Sequence, residues 1–210
     1  RLKNAMKPGD RSVGGQVLQS VGIQECLTKA ADAIGWREPK TGKFRGRGIA
    51  SVNHISGLLT VSAIVAMNED GTISLKVGTM DIGQGADTTL TQICAEELGV
   101  SMDDVCIISG DTDAAPYTWA TTASRLTYTA GNAVKGAAGD AKRQILELAA
   151  TTLEVSADDL EIAGSKVKVK GSPSKALSFF ELGAISCWVR GGAIVGRSSF
   201  MVEEPAMDRS

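Results

Sequence analysis

The part of this sequence that most restricts its fold is the run from Thr72 to Gly99, where a strand pattern leads through a glycine pair into a helix pattern. Residues 72–77 alternate apolar and polar side chains, which is the period of a half-buried strand. After Gly83-Gln84-Gly85, apolar residues recur at helical spacing until Gly99, a typical helix stop. The sequence therefore predicts a strand and a helix joined by a glycine turn.

Such a turn can have a structural or a ligand-binding role. The first amides of a helix lack partners within the helix and lie at the positive end of its dipole, so they favour an anion or a carbonyl-rich ligand. Gly83 and Gly85 would leave room for that ligand because they carry no side chain. On spacing alone the glycines could serve only to make the turn, and both interpretations stay open.

A second stretch with chemical potential is the loop over residues 109–125, which follows a strand pattern and is rich in Gly, Asp, Thr and Pro. Loops of this length usually have a function. Asp111 and Asp113 suggest calcium, but Pro116 and Thr122 stand where an EF-hand requires glycine and glutamate. We therefore expect the two aspartates to accept local backbone N–H groups and to bind no metal ion.

This loop leads into a long helix, predicted from about Thr122 to Thr152, with hydroxyl side chains at its start that can cap it. Its glycines would each cost about 1 kcal/mol relative to alanine, which is tolerable where another backbone passes close by. We expect the helix to pack flat on a sheet, and its N-terminus could direct amides at the same ligand as the first helix. The glycines are Gly131, Gly136 and Gly139, and the apolar face comprises Leu126, Ala130, Val134, Ala137, Ala141, Ile145 and Leu148.

Two segments resemble each other, residues 98–107 and residues 153–162. In both, a helix pattern ends, a serine precedes paired aspartates, and an apolar strand pattern begins. The sequence thus predicts one helix–turn–strand unit used twice, through an old duplication or through chance reuse of good turn residues.

The remaining patterns complete an α+β fold, in which mixed β-sheet layers pack on helices. We expect a helical lead-in arm over residues 1–40 and an α+β domain over residues 41–210, and both chain ends look like cuts within a longer polypeptide. The further predicted elements are a helix over 17–34 with an ion pair between Glu25 and Lys29, strand material over 49–67, a hairpin turn at Asn68–Gly71, a hairpin within 160–170, a helical turn at 178–182 and a strand over 192–202.

Composition excludes several classes of protein. The net charge of −2, with both signs interspersed, favours neither nucleic acid nor an anionic membrane, and no apolar run approaches the roughly 20 residues that span a bilayer. The single histidine, His54, argues against a Ser-His-Asp triad and is expected on a strand in a structural role. Without CxxC pairs there is no zinc or iron–sulfur signature, so we expect buried reduced thiols in a cytoplasmic protein at Cys26, Cys94, Cys106 and Cys187.

Two motifs in order, TMDIGQGADTTLTQICAEELGV and SGDTDAAPYTWATTASRLTYTAGNA, resemble the large, molybdopterin-binding subunit of the xanthine dehydrogenase family of molybdenum hydroxylases. The segment KNAMKPGD…GQVLQSVGIQECLTKAA resembles the part of that subunit that leads into this domain. The resemblance implies that Gly83, Gln84 and Gly85 lie against the molybdenum–pterin head. It also implies that the pterin is bordered by Thr122, Ala123 and Ser124, followed by Arg125 and Leu126.

The resemblance further implies molybdopterin, as its cytosine dinucleotide, with molybdenum, and iron–sulfur clusters and FAD on partner domains or subunits. The full subunit would oxidise or reduce an aromatic, N-heterocyclic or CoA-thioester small molecule with water as the oxygen source. The spacing of Ser124, Arg125, Thr127 and Gly131-Asn132-Ala133 leans towards the branch acting on aromatic CoA thioesters.

The sequence also departs from the family pattern. The family's catalytic glutamate and its upstream phenylalanine-containing glycine motif are missing, and Glu203-Glu204-Pro205 lacks the glycines needed for assignment as the base. We therefore assign no catalytic residue and no metal ligand, and predict that these residues alone are inactive. The competing interpretation is a non-catalytic α+β module that binds a phosphate-bearing ligand.

Overall fold

The computed structural model describes residues 1–202, apart from positions 14, 16, 53, 55, 58, 190 and 191. The described chain forms two compact units, one before residue 56 and one over residues 56–202. In the first unit, helix α1 covers Ile23–Ala33, so it begins later than the predicted residue 17. Lys29 bonds Glu25 at 2.6 Å, as the i,i+4 spacing predicts.

The second unit is built on a four-stranded mixed sheet. Strand β1 (Val61–Met67) pairs antiparallel with β2 (Ile73–Val77) and β7 (Val195–Phe200), whereas β2 pairs parallel with β3 (Val105–Ser109). The predicted hairpin between the first two strands is confirmed, with Asp70 accepting from the Thr72 amide at 2.9 Å. The parallel pair is connected through a helix, as parallel strands require.

Two helices cover one face of this sheet, α2 (Ala86–Leu98) and α3 (Gly131–Leu153). Every second residue of β1 and β2 is buried, and the predicted apolar face of the long helix is buried except at Leu148, which is half-buried. A side chain at Gly196 would overlap the backbone of Ala137 and Ala141, and one at Gly136 would overlap Ser198. Gly196 of β7 is therefore what allows the backbone of the long helix to lie close to this strand. The helix glycines do not have the predicted backbone neighbour, because Gly136 and Gly131 lie against the side chains of Ser198 and Ile93.

A second sheet has three antiparallel strands in the order β4-β5-β6. The predicted hairpin is formed by β4 (Leu160–Ile162) and β5 (Lys166–Val169), whereas β6 (Ser172–Ser178) was not predicted. β6 is an edge strand of this sheet. Helix α4 (Phe179–Ala184) follows and begins with a capping box between Ser178 and Glu181.

The repeated helix–turn–strand unit is confirmed. Ser101 accepts from the Asp103 amide and Ser156 from the Asp158 amide, both at 3.3 Å, and each serine opens a three-residue 3-10 turn. Each turn leads directly into a strand, but the two strands belong to different sheets. The α+β class with mixed sheet layers packed on helices is likewise confirmed.

Most of the strand predicted over residues 49–67 is wrong, and so is the predicted strand position of His54. The strand material over residues 49–67 reduces to β1, and the described residues between 49 and 60, His54 included, lie in no helix or strand. Gly57 and Leu59 have positive φ angles of 91° and 55°, which interrupt an extended chain.

The cysteines are reduced, but only Cys94 is buried, while the other three are exposed. Burial raises the pKa of the Cys94 thiol to about 12. Cys106 and Cys187 lie in β3 and in the turn after α4, at positions that face away from the core. No described helix is both long and apolar enough to cross a bilayer.

Candidate functional site

The glycine turn leads directly into α2. Gly83 and Gly85 have φ angles of 105° and 77°, in the left-handed region that favours glycine, and Gly85 is the N-cap of the helix. A Cβ atom at either position would meet nothing within 4 Å. The two glycines are therefore required by the backbone conformation, and open space lies in front of both.

Three amides in the turn and at the start of α2 already have a partner within the protein, whereas the sequence prediction left them to a ligand. The Asp81 carboxylate accepts from the amides of Gly83 at 2.8 Å, Gly85 at 3.3 Å and Asp87 at 3.2 Å. These bonds lower the pKa of Asp81, the Gly83 amide contributing most. An internal anion thus already occupies the positive end of α2, where an external anion was expected.

Gln84 lies at the exposed tip of the turn, and its side chain is held by the loop. Its Oε1 accepts from the Ile82 amide at 2.7 Å, and its Nε2 donates to the Met80 carbonyl at 3.4 Å. Because an amide nitrogen carries two hydrogens, the second can donate to a ligand in front of the turn. The two bonds to Ile82 and Met80 thereby fix the orientation of the side chain within the loop.

The second loop has strained backbone where the sequence motif Thr122-Ala123-Ser124 lies. Ala123 and Ser124 have consecutive positive φ angles of 50° and 45°, which residues with a Cβ atom rarely adopt. The following chain, Leu126–Ala130, forms a π-helical turn before α3 begins at Gly131. The predicted α-helix start at Thr122 is therefore wrong, and both strained backbone and π turns are frequent at functional sites.

Arg125 stabilises this loop from the interior of the protein. It is fully buried, and its guanidinium donates to the carbonyls of Ala120 at 3.0 Å, Thr60 at 3.2 Å and Leu59 at 3.3 Å. Burial lowers the pKa of the Arg125 guanidinium. The group is nevertheless charged, as arginine always is in proteins. These bonds join the loop to the chain that leads into β1. The neighbouring Leu126 is buried in the hydrophobic core.

The two loops are bonded to each other. The Thr121 hydroxyl donates to the Met80 carbonyl at 2.9 Å and accepts from the Met80 amide at 3.2 Å. A side chain at Gly78 would overlap the Pro116 carbonyl, so the first loop also passes close to the start of the second. The structure thus brings together the segments that contain the glycine turn and the Thr122-Ala123-Ser124 motif.

Both loops expose large apolar side chains. Met80 and Ile82 on the first loop are 53% and 68% exposed, and Tyr117 and Trp119 on the second are 67% and 47% exposed. Exposed apolar groups on adjacent segments are typical of a surface that a ligand or more protein covers.

Several other residues have a simpler role. Asp111 accepts from the amides of Asp113 at 2.8 Å and Ala114 at 3.2 Å, which confirms the predicted Asx turn. In the part of the chain that the structure describes, no three His, Cys, Asp or Glu residues lie close enough to hold a metal ion. Glu203-Glu204-Pro205 lies outside the described residues. Sequence reasoning missed Asp81, although an aspartate two residues before a glycine amide is itself an Asx-turn signal.

Comparison with known proteins assigns the family. The model of the molybdopterin cofactor-binding domain matches residues 17–210. The xanthine dehydrogenase molybdenum-binding subunit of Escherichia coli O157:H7 is 37% identical over 167 residues, which are 73% of this chain and 22% of that protein. The carbon monoxide dehydrogenase large chain of Afipia carboxidovorans is 42% identical over 153 residues, covering 60% of this chain and 19% of that one.

A solved structure agrees with the sequence matches. Reconstituted CO dehydrogenase from Oligotropha carboxidovorans superposes with a TM-score of 0.64 and 34% identity over 70% of this chain and 19% of that chain. The chain therefore belongs to the molybdopterin cofactor-binding domain family, in the large subunit of the xanthine dehydrogenase family of molybdenum hydroxylases. This confirms the resemblance seen in the two motifs. The chain spans about a fifth of the length of these relatives.

Proposed function

We propose that these residues form part of the cradle for a molybdopterin cofactor in a molybdenum-dependent oxidoreductase. The observation that carries the proposal is the bonding of the two motif loops through Thr121 and Met80, with open space in front of Gly83 and Gly85. A domain of this family has to bind a polar, bulky cofactor, and the glycine turn offers both room and an oriented amide at Gln84.

The individual residues would contribute in different ways. Gly83 and Gly85 leave room for the cofactor, and the Gln84 side chain donates a hydrogen bond to it. Thr122, Ala123 and Ser124 border the cofactor from the second loop, where the small Ala123 leaves space beside it. Arg125 and Leu126 stabilise the second loop without contacting the cofactor. Arg125 donates to backbone carbonyls, and Leu126 packs in the hydrophobic core.

When bound, molybdopterin with its molybdenum supplies two-electron oxidation or reduction of the substrate, and the cytosine dinucleotide form is the variant we propose. Iron–sulfur and flavin domains or subunits, together with the rest of the large subunit, would be the partners in a cytoplasmic assembly. We further propose an N-heterocyclic or aromatic substrate. The names of three relatives refer to substrates of this kind, namely xanthine dehydrogenase, nicotinate dehydrogenase and quinoline 2-oxidoreductase. The branch acting on aromatic CoA thioesters stays a hypothesis.

The competing interpretation, a non-catalytic module for a phosphate-bearing ligand, is not favoured. A phosphate at the start of α2 would need the amides that the Asp81 carboxylate already takes, and it would meet the negative charge of that carboxylate. The family match also favours the cofactor.

The test is molybdenum and pterin analysis of the native full-length subunit, for the wild type and for Gln84→Ala. We expect about one cofactor per wild-type subunit and a loss of cofactor or of turnover per bound metal in the variant, at unchanged stability. Gln92→Ala, which removes an exposed glutamine from α2, is the control and should behave like the wild type. A wild-type subunit without molybdenum, or a Gln84→Ala subunit with wild-type content and turnover, would contradict the proposal.

A further inference from the structure

Asp81 lies in the first loop, and its carboxylate makes several hydrogen bonds to the glycine turn. The proposed function assigns it no role so far. Its two carboxylate oxygens accept from three amides, at Gly83, Gly85 and Asp87, over a span of seven residues. Among the described residues, no other carboxylate accepts as many hydrogen bonds from backbone amides. One side chain thus fixes both glycines of the turn and the first turn of α2.

This arrangement matters because two glycines give the backbone of the turn many accessible conformations. Gly83 and Gly85 have φ angles that only glycine adopts easily, and glycine populates many other conformations at similar energy. A Cβ at either position would touch nothing, so neighbouring side chains do not pack against the turn from that side. Hydrogen bonds to Asp81 therefore select one conformation from the many that two glycines permit.

The same bonds determine where Gln84 lies. Gln84 lies between Gly83 and Gly85, whose amides both donate to Asp81. Its own Oε1 accepts from the amide of Ile82, the residue after Asp81. If the turn changes conformation, both the position of Gln84 and the direction of its Nε2 change with it. From this geometry we infer that Asp81 is a positioning residue, which preorganises the glycine turn and Gln84 for the cofactor and does not touch the cofactor itself.

The inference rests on the proposed cofactor role of the turn, and its test uses the full-length subunit. Asp81→Ala removes all three bonds. Asp81→Asn keeps an acceptor for the Gly83 and Gly85 amides but turns a donor towards the Asp87 amide. We expect cofactor affinity to fall about tenfold in Asp81→Ala, as loss of a strong cap implies, and less in Asp81→Asn.

Asp70→Ala is the matched control. Asp70 also accepts from a backbone amide and a hydroxyl in a tight turn, both on Thr72, but it lies at the hairpin at the other end of β2. Molybdenum and pterin content after dialysis would be measured beside the melting temperature of cofactor-free protein. We expect both alanine variants to melt at similar temperatures, and only Asp81→Ala to lose cofactor, with partial rescue in Asp81→Asn.

The outcomes separate the two claims. A wild-type subunit without molybdenum and pterin would contradict the proposed function itself. A wild-type subunit with cofactor, together with an Asp81→Ala variant that retains it equally well, would overturn the positioning role. Equal cofactor loss in Asp70→Ala and Asp81→Ala would also overturn it, because the loss would then follow general destabilisation. If Asp81→Ala does not fold, the Asp81→Asn variant decides on the same criteria.

Discussion

At the scale of single residues, the candidate site depends on side chains that bond backbone groups. Asp81 binds three amides of the first loop, and Arg125 binds three carbonyls around the second. Backbone groups of irregular loops lack the partners that helices and strands provide, so a charged side chain is an efficient way to fix such loops. The motif residues thereby keep their positions without regular secondary structure.

Arg125 provides a direct test of this view. Lysine at this position keeps the positive charge but cannot direct a planar set of donors at three separate carbonyls. We expect Arg125→Lys to lower the free energy of unfolding by about 1.5–3 kcal/mol, the range for hydrogen bonds to a charged group. Chemical denaturation measures it, with Arg143→Lys, an exposed position on α3, as the control. Equal unfolding midpoints for the two variants would contradict the role assigned to Arg125.

The pKa of Asp81 gives a prediction on pH. Its folded-state pKa lies below the ordinary value of 3.8 because amides bind the carboxylate. The stabilisation is therefore fully present above that value and is lost as the pH falls through the lower, folded-state pKa. We expect wild type to melt above Asp81→Asn at pH 6 and the gap to shrink below about pH 4. A gap that stays constant down to pH 2 would show that ionisation of Asp81 does not contribute.

At the scale of elements, periodicity predicts the regular parts well. The alternation over residues 72–77, the hairpin turn before it and the apolar face of the long helix all correspond to observed structure. Prediction fails where tertiary contacts decide. The π turn at Leu126–Ala130 comes directly after a loop with positive φ angles at Ala123 and Ser124, and β6 is held by its pairing with β5. Neither has a local sequence signal.

The packing of α3 on β7 depends on the absence of a side chain at Gly196. A methyl group at Gly196 would overlap the backbone of Ala137 and Ala141, which cannot move without displacing the helix. Overpacking of this kind costs about 1–3 kcal/mol or more, so Gly196→Ala should lower the melting temperature by several degrees. Gly192→Ala is the control, because a Cβ there meets nothing within 4 Å. Similar melting temperatures for the two variants would argue against close packing at Gly196.

At the scale of the whole molecule, the sequence predicted the family, but not the bonds between the two segments that form the candidate site. The two motifs lie about 40 positions apart, and only the structure reveals the bonds between Thr121 and Met80. The helix dipole suggested an anion site at α2, yet Asp81 fills that position. Spacing indicates an Asx turn from Asp81 to the Gly83 amide, but not the bonds to the Gly85 and Asp87 amides, which depend on how the loop folds back. Inactivity of these residues on their own stays a prediction.

One pair of variants tests whether the glycine turn faces a cofactor. Gly85 and Gly171 have the same φ angle of 77°, and a Cβ at either would meet nothing within 4 Å. Alanine should thus cost the same backbone strain at both, about 1–2 kcal/mol. Only at Gly85 would the new side chain enter the space assigned to the cofactor.

The measurement is molybdenum and pterin content per full-length subunit in Gly85→Ala and Gly171→Ala, at matched melting temperatures. Our account predicts wild-type content in Gly171→Ala and a loss of at least half of the cofactor in Gly85→Ala. Equal cofactor content in the two variants would contradict the assignment of this turn to the cofactor.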